Sequence, residues 1–418
     1  MRSNPPAGLA PTSAAIAAAA CFAVADPARA GTLEDDFGIT GDWWGFRQTL
    51  ADRGVSFQGS YVAEVSGVLD GGLRRRGSFR NLLTLELEID LQEAIGLPGA
   101  TVFAQFLSVN PDRGGSRDSG DLQVYTNIEV ERHIDALTEL WYQQTFLDGA
   151  LRFKLGKLDA NSEFAFVEAG EEFAHSSAGF SPTIFTLPTY PESATSVNVF
   201  VRTVETHRAT LTLGYGLYDG ATPVDGIRTG ARGPATFFSD RKSDDLFHIG
   251  QCELIWCRGG GHWFTNGRAA VGGWLHTGEF ERFDGGTRSD TSGLFVVAEQ
   301  QLFDPHDDDR GVYLFAQYAW ADRRVSEVVH HAGLGLVQRG TFPGREGDSA
   351  GVYASLAVLS DAPGADFGND ELAIDVYYRL RLGSNVYVQP ELQWIINPAA
   401  DPDARDALVG GIRVGIEF

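Results

Sequence analysis

The sequence predicts a transmembrane antiparallel β-barrel of about 16 strands with one short N-terminal helix. Three observations carry this. Strand-period alternation recurs along the chain, no apolar run after the N-terminus approaches the ~18 residues of a membrane helix, and the last strand ends on an aromatic residue, Phe418. The stretch LLTLELEIDL, Leu82 to Leu91, shows the alternation. Leu83, Leu85, Leu87, Ile89 and Leu91 share one parity, and Thr84, Glu86, Glu88 and Asp90 share the other. Strand side chains point to opposite faces with period two. A soluble sandwich would bury the aliphatics, whereas a membrane barrel turns them to lipid and lines an aqueous lumen with the carboxylates. Glu86, Glu88 and Asp90 are therefore expected to face the lumen.

Residues 1–30 read as an export signal. Arg2 precedes the short apolar run Ala14 to Ala25, and Ala28-Arg29-Ala30 offers a cleavage site before Gly31. Residues 31–54 form an N-terminal segment. Within it Asp42 can cap a helix, Trp43, Phe46 and Leu50 fall at helical spacing, and Gly54 ends the pattern. This helix is expected at the periplasmic mouth or against the barrel wall.

Residues 55–418 are expected to form the barrel. Alternation runs through Val55–Val68, Ala100–Val109, Glu139–Leu147, Leu151–Leu158, Val197–Val204, Ala209–Tyr218, Gly267–Gly278 and Leu294–Phe303. It continues through Val312–Ala321, Ala332–Gly340, Gly351–Leu359, Leu372–Leu382, Asn385–Ile396 and Ala407–Phe418. Clusters such as DPHDDDRG and DAPGADFGND between them have turn chemistry. Charges on the polar parity, Arg152 and Lys154 or Asp375, Arg379 and Arg381, suit a wet lumen better than a sandwich. Tyr61, Trp141, Trp274, Trp320, Tyr353, Tyr377 and Trp394 lie near strand ends, where interface girdles are expected. The final strand carries Leu408, Gly410, Ile412, Val414, Ile416 and Phe418 on one parity. This is the pattern read by the outer-membrane assembly machinery, so Phe418 is the expected assembly signal.

The chain's net charge of −23 and pI near 4.7 exclude a nucleic-acid partner. Cys252 and Cys257, left after loss of the leader, are candidates for a disulfide in an oxidising compartment, which would require a turn or bulge between them. Acids such as Glu171, Glu172 and Asp307 to Asp309 read as solvated loop residues, and the adjacent His330 and His331 are poorly placed to share a metal. No catalytic motif is found. The expectation is a channel without enzymatic chemistry, cofactor or metal.

Several segments resemble the carbohydrate-selective porin family, the glucose-inducible outer-membrane porins of Gram-negative bacteria. They are GITGDWWGFRQTLADRGVSF (Gly38 to Phe57), DGGLRRRGSFRNLLTLELEIDL, Val124 to Ala165, Ser176 to Ala194 and Val386 to Pro398, collinear over nearly the whole mature chain. The resemblance implies a 16-stranded barrel narrowed by inward-folded loops, passing glucose and related sugars through a charged, aromatic-lined pore. It places Arg152, Lys154, Lys157, Asp159, Asn161, Glu163 and Phe164 at or near the constriction. Outer-membrane lipid and lipopolysaccharide, the assembly machinery and a homotrimer are the partners it implies, although no self-complementary patch is legible in the sequence. A general porin and an exported soluble sugar-binding β-protein are the alternatives.

Overall fold

The computed structural model describes residues 38–112, 114–220, 245–258, 263–305, 310–399 and 404–418. The expected export signal, residues 1–30, and Asp307 to Asp309 lie outside the described residues. The strands are β1 (Val55–Gly72), β2 (Gly77–Asp90), β3 (Ala100–Asn110), β4 (Ile134–Phe146), β5 (Leu151–Leu158), β6 (Ala194–Glu205), β7 (Ala209–Asp219) and β8 (Leu246–Cys257). They continue with β9 (Asn266–Glu281), β10 (Thr287–Phe303), β11 (Gly311–Ala321), β12 (Val328–Arg339), β13 (Ser349–Leu359), β14 (Asp370–Arg381), β15 (Val386–Ile396) and β16 (Arg405–Glu417). Each pairs with its sequence neighbours, and β16 returns to β1 to close the barrel. Closure satisfies backbone groups that lipid could not.

The Leu83 parity points outward, with Leu87 among the exposed apolar side chains, and the Glu86 parity points inward. The same division holds around the wall. Leu213, Val271, Leu294, Leu334, Val376 and Ile412 face out, while Arg268, Glu299, Gln317, Asp375 and Arg413 face in and are buried. Connections at the end carrying Phe418 are short, and the β3–β4 (111–133) and β5–β6 (159–193) loops emerge at the other end. Short periplasmic turns and long extracellular loops orient the barrel.

The chain ends meet at the periplasmic rim. Phe418 and Gly59 exchange backbone hydrogen bonds of 2.8 and 2.7 Å. The Phe418 ring lies so close over Gly59 that a Cβ there would approach it to 2.5 Å. The helix α1 (Phe46–Ala51) is shorter than its sequence pattern. Its N-cap is Gly45, in the left-handed region that glycine tolerates, and Asp42 instead accepts from the Gln48 amide at 2.8 Å. Arg47 ties it to the wall by donating to the Phe57 carbonyl at 2.6 Å.

Three expectations need correction. Trp141, Trp274, Tyr353 and Tyr377 are buried in the lumen rather than at an outer girdle, whereas Trp320 and Trp394 do face outward. The Cys252–Cys257 bridge does not form. Both lie in β8, five residues apart and hence on opposite faces, and Cys252 is free. Asp90 ends β2 and caps the turn helix α2 (Leu91–Ile95), accepting from the Gln92 and Glu93 amides at 2.8 and 3.4 Å.

Candidate solute constriction in the lumen

Immediately after β5 the chain turns into the lumen, and the β5–β6 loop is pinned along the inner wall. The Ala165 amide donates to Gln251 at 3.0 Å. The Glu168 and Ala169 amides both donate to the Glu299 carboxylate at 3.0 Å. Arg268, itself hydrogen-bonded to Glu299 at 2.8 Å, donates to the Phe166 carbonyl and stacks on the Phe166 ring 3.7 Å from its centroid. Further round, Gln317 and Tyr353 donate to the Ser177 carbonyl at 2.6 and 2.8 Å. Glu172 is not a solvated loop acid. It accepts from Tyr377 at 2.8 Å and from Ser349, and lies 3.6 Å from Arg379. The β3–β4 loop completes the lining: Glu371 accepts the Leu122 and Gln123 amides, and Arg413 donates to Glu64, Thr126 and Asn127. These loop amides and carbonyls are thus hydrogen-bonded to wall side chains, which fixes one loop path.

The centre of the arrangement is a six-residue cluster. Arg152 grips Glu163 through two hydrogen bonds of 2.9 and 2.8 Å, a bidentate fork. Lys154 donates to the same carboxylate at 2.8 Å. Both cations also lie on rings, Lys154 Nζ 3.7 Å from the Trp141 centroid and Arg152 Cζ 3.9 Å from that of Phe200. Phe164 stacks on Phe200 with centroids 5.5 Å apart. It fits because β7 presents Gly216 beneath it, where a Cβ would come within 2.9 Å of the ring. The guanidinium of Arg152 keeps 30% of its side-chain surface exposed, against 7% for Lys154 and 10% for Glu163. Arg152 is therefore the group of this cluster a passing solute can reach.

The other expected residues divide. Asp159 accepts from the Asn161 and Tyr190 amides at 2.7 and 2.9 Å, fastening the start of the loop to its far end. Asn161 donates to the Phe164 carbonyl at 3.3 Å. Both shape the loop. Glu86 and Glu88 sit on the inward parity of β2 as alternation implies, and Glu86 accepts from Gln105 at 2.8 Å. They form a separate patch of wall. Lys157 is outside the constriction: it shares the outward parity of Leu155, pairs with exposed Leu140, and donates to the Leu137 carbonyl at 2.9 Å. Phe200, Trp141 and the anchors Glu299 and Arg268 were not singled out for this site, because their roles depend on where a distant loop lands.

Two loop carboxyls respond oppositely to pH. Burial alone would raise Glu163, but Arg152 and Lys154 outweigh it and hold the carboxyl at about 2. A depressed acid stabilises above its unfolded value, so this contribution disappears only as pH falls through about 2. Glu168 is pushed up to about 8, first by burial and then by Glu299 and Glu171, with Arg339 and Arg268 opposing. Its contribution is full below the unfolded value of ~4.3 and is lost as pH rises through about 8. Protease cleavage within the β5–β6 loop, normalised to an unfolded control, should therefore rise several-fold from pH 5 to pH 8 and then level off. Glu168→Gln should flatten that rise, and an unaltered profile in the variant would contradict the assignment.

Residues 76–418 match the model of the carbohydrate-selective porin, OprB family. Porin B of Pseudomonas aeruginosa is 25% identical over 91% of this chain and 91% of its own. A putative porin, QuiX, of Acinetobacter baylyi is 24% identical over 93% and 96%. Among solved structures, the high-pH form of Pseudomonas putida OprB superposes with a TM-score of 0.78 at 22% identity, over 91% of this chain and 98% of that one. Its low-pH form gives 0.55 at 20% identity over the same shares.

Proposed function

We propose that this chain, which belongs to the carbohydrate-selective porin family OprB, selects glucose and related sugars at the Arg152–Lys154–Glu163 cluster. It is an outer-membrane porin, a channel rather than an enzyme. The observation that carries the finer reading is one partly exposed guanidinium in an otherwise buried cluster. A hexose offers hydroxyl edges, and the guanidinium of Arg152, stacked on buried Phe200, supplies donors to them. Glu163 fixes the guanidinium so that little is lost in ordering it. Binding must remain weak for the sugar to leave, and one accessible donor group gives weak binding.

Liposomes containing the refolded barrel should swell faster in glucose than in an amino acid of similar size, and Arg152→Ala should narrow that difference. Equal rates for both solutes in the native protein would reduce the reading to a general porin.

Assembly is proposed to depend on Phe418. Its reciprocal bonding with Gly59 makes it the closing residue of the β16–β1 seam. Deleting Phe418 should lower the yield of heat-modifiable barrel in cells several-fold. An unchanged yield would remove this role. A homotrimer and lipopolysaccharide contact are proposed as further associations.

A further inference from the structure

We infer that the inner wall of β12–β16 carries a second solute station, a file of loosely held ion pairs from Glu171–Arg339 to Arg381–Glu417 that receives the hydroxyls of a sugar near the periplasmic mouth. The inference rests on the sugar-porin reading above and adds a stage to it. Register places these groups. Arg339 ends β12 and pairs with Ser349 of β13, which pairs with Arg379 of β14, so the three form one row across the wall. Arg339 shares the inward parity of buried Val337, Arg379 and Arg381 share that of Asp375, and Glu417 shares that of Arg413. Arg381 and Glu417 end their strands near Phe418, at the periplasmic rim. β13 stands eight strands from β5 in the ring of 16, so this wall lies across the lumen from Arg152.

The spacing of these pairs differs from that of the Arg152 cluster. Arg152–Glu163 and Arg268–Glu299 close to 2.8 Å, the distance of a charge-assisted hydrogen bond. On the opposite wall Arg339 stands 3.4 Å from Glu171 and 3.7 Å from Glu172. Arg379 stands 3.6 Å from Glu172, and Arg381 stands 3.4 Å from Glu417. The middle of the file is fixed, Glu172 by Tyr377 and Ser349 and Arg379 by Gln389 at 2.7 Å. Its ends are free to move. The Glu171 side chain is 57% exposed and that of Glu417 45%, and exposed pairs exchange partners readily. A hydroxyl is both donor and acceptor. Entering between carboxylate and guanidinium, it donates to the first and accepts from the second, replacing one long contact with two short ones. An ether oxygen only accepts and cannot bridge the pair. Both charges already have partners, so the station holds sugar more weakly than Arg152 does and serves passage rather than retention.

Two readouts on the native and variant barrels test this: liposome swelling in glucose and in triethylene glycol, whose inner oxygens are ethers, and the saturation of single-channel current by glucose. E171Q/R381Q should lower the swelling rate in glucose at least twofold relative to that in triethylene glycol. The glucose concentration that half-saturates the current should not change, because Arg152 is untouched. R53A removes an exposed arginine from the turn after α1 and should alter neither readout. An unchanged ratio of the two solutes in E171Q/R381Q, an equal fall for both, or the same fall in R53A would overturn the station and leave the sugar reading in place. Loss of saturation in E171Q/R381Q would also overturn it, by making these groups part of the Arg152 site. A native current that does not saturate with glucose would overturn the sugar reading and the station with it. Should the double variant fail to fold as a heat-modifiable barrel, Glu171→Gln alone carries the comparison, since its carboxylate is an exposed loop group 3.4 Å from Arg339.

Discussion

Glu299→Ala is expected to open the pore to every small solute. The Glu299 carboxylate receives two loop amides and the Arg268 guanidinium, and both ionic side chains are fully buried. Removing one partner of a buried pair costs about 3–5 kcal/mol because the other charge is left behind. Arg268 keeps its bond to Glu253, so the barrel wall should survive and the loss should fall on the loop. The deficit should be expressed as local opening around Glu168 and Ala169, whose amides Glu299 holds, rather than as global unfolding. Single-channel conductance should rise several-fold and protease should cut the β5–β6 loop. A conductance equal to the native value would mean that this loop does not limit the pore.

Glu163→Gln should have the second-largest effect, and a different one. Arg152 and Lys154 would lose a shared carboxylate and repel each other across the site it occupied. Loop contacts to Glu299, Ser177 and Glu172 would persist, so the pore should stay narrow. What should fail is discrimination: the local net charge becomes more positive, current should shift toward anions, and glucose should lose its advantage over solutes of its size. Lys157→Ala provides the contrast. Its amine lies on the outward parity and touches the Leu137 carbonyl, so swelling rates should not change. A larger effect for Lys157 than for Glu163 would reverse the inside and outside of β5.

Parity carried most of the barrel. LRFKLGKL matches β5 at both ends, because Leu151, Phe153 and Leu155 meet lipid while Arg152 and Lys154 do not. The same parity separates Lys154 from Lys157, three residues apart; grouping them by resemblance placed Lys157 wrongly. β8 escaped the alternation reading for a physical reason. Phe247 and Ile249 face inward to meet the lumen cluster, and the outward face holds His248, Gly250 and Cys252. Its hydrophobic signal is thus inverted over its first half, ahead of outward-facing Leu254. Trp141 and Tyr377 were read as girdle residues because aromatics at strand ends suit an interface equally well. Tyr377 in fact shares the inward parity of Asp375 and Arg379, and Trp141 that of Glu139; what parity does not show is the path of the inner loop, which delivers Glu163 to Lys154 and Phe173 to Tyr377. That path is set by contacts between residues far apart in sequence, such as Ala174 with Glu391, and leaves no local periodicity.

The central claim is that sugar binds weakly at Arg152 within a narrow lumen. Ionic current through single barrels in a planar bilayer, recorded while glucose is added, tests it most directly. The current should fall in a way that saturates with glucose concentration in the native barrel and becomes a shallow, linear decline in Arg152→Ala. A linear decline in the native barrel, tracking solution viscosity alone, would contradict it.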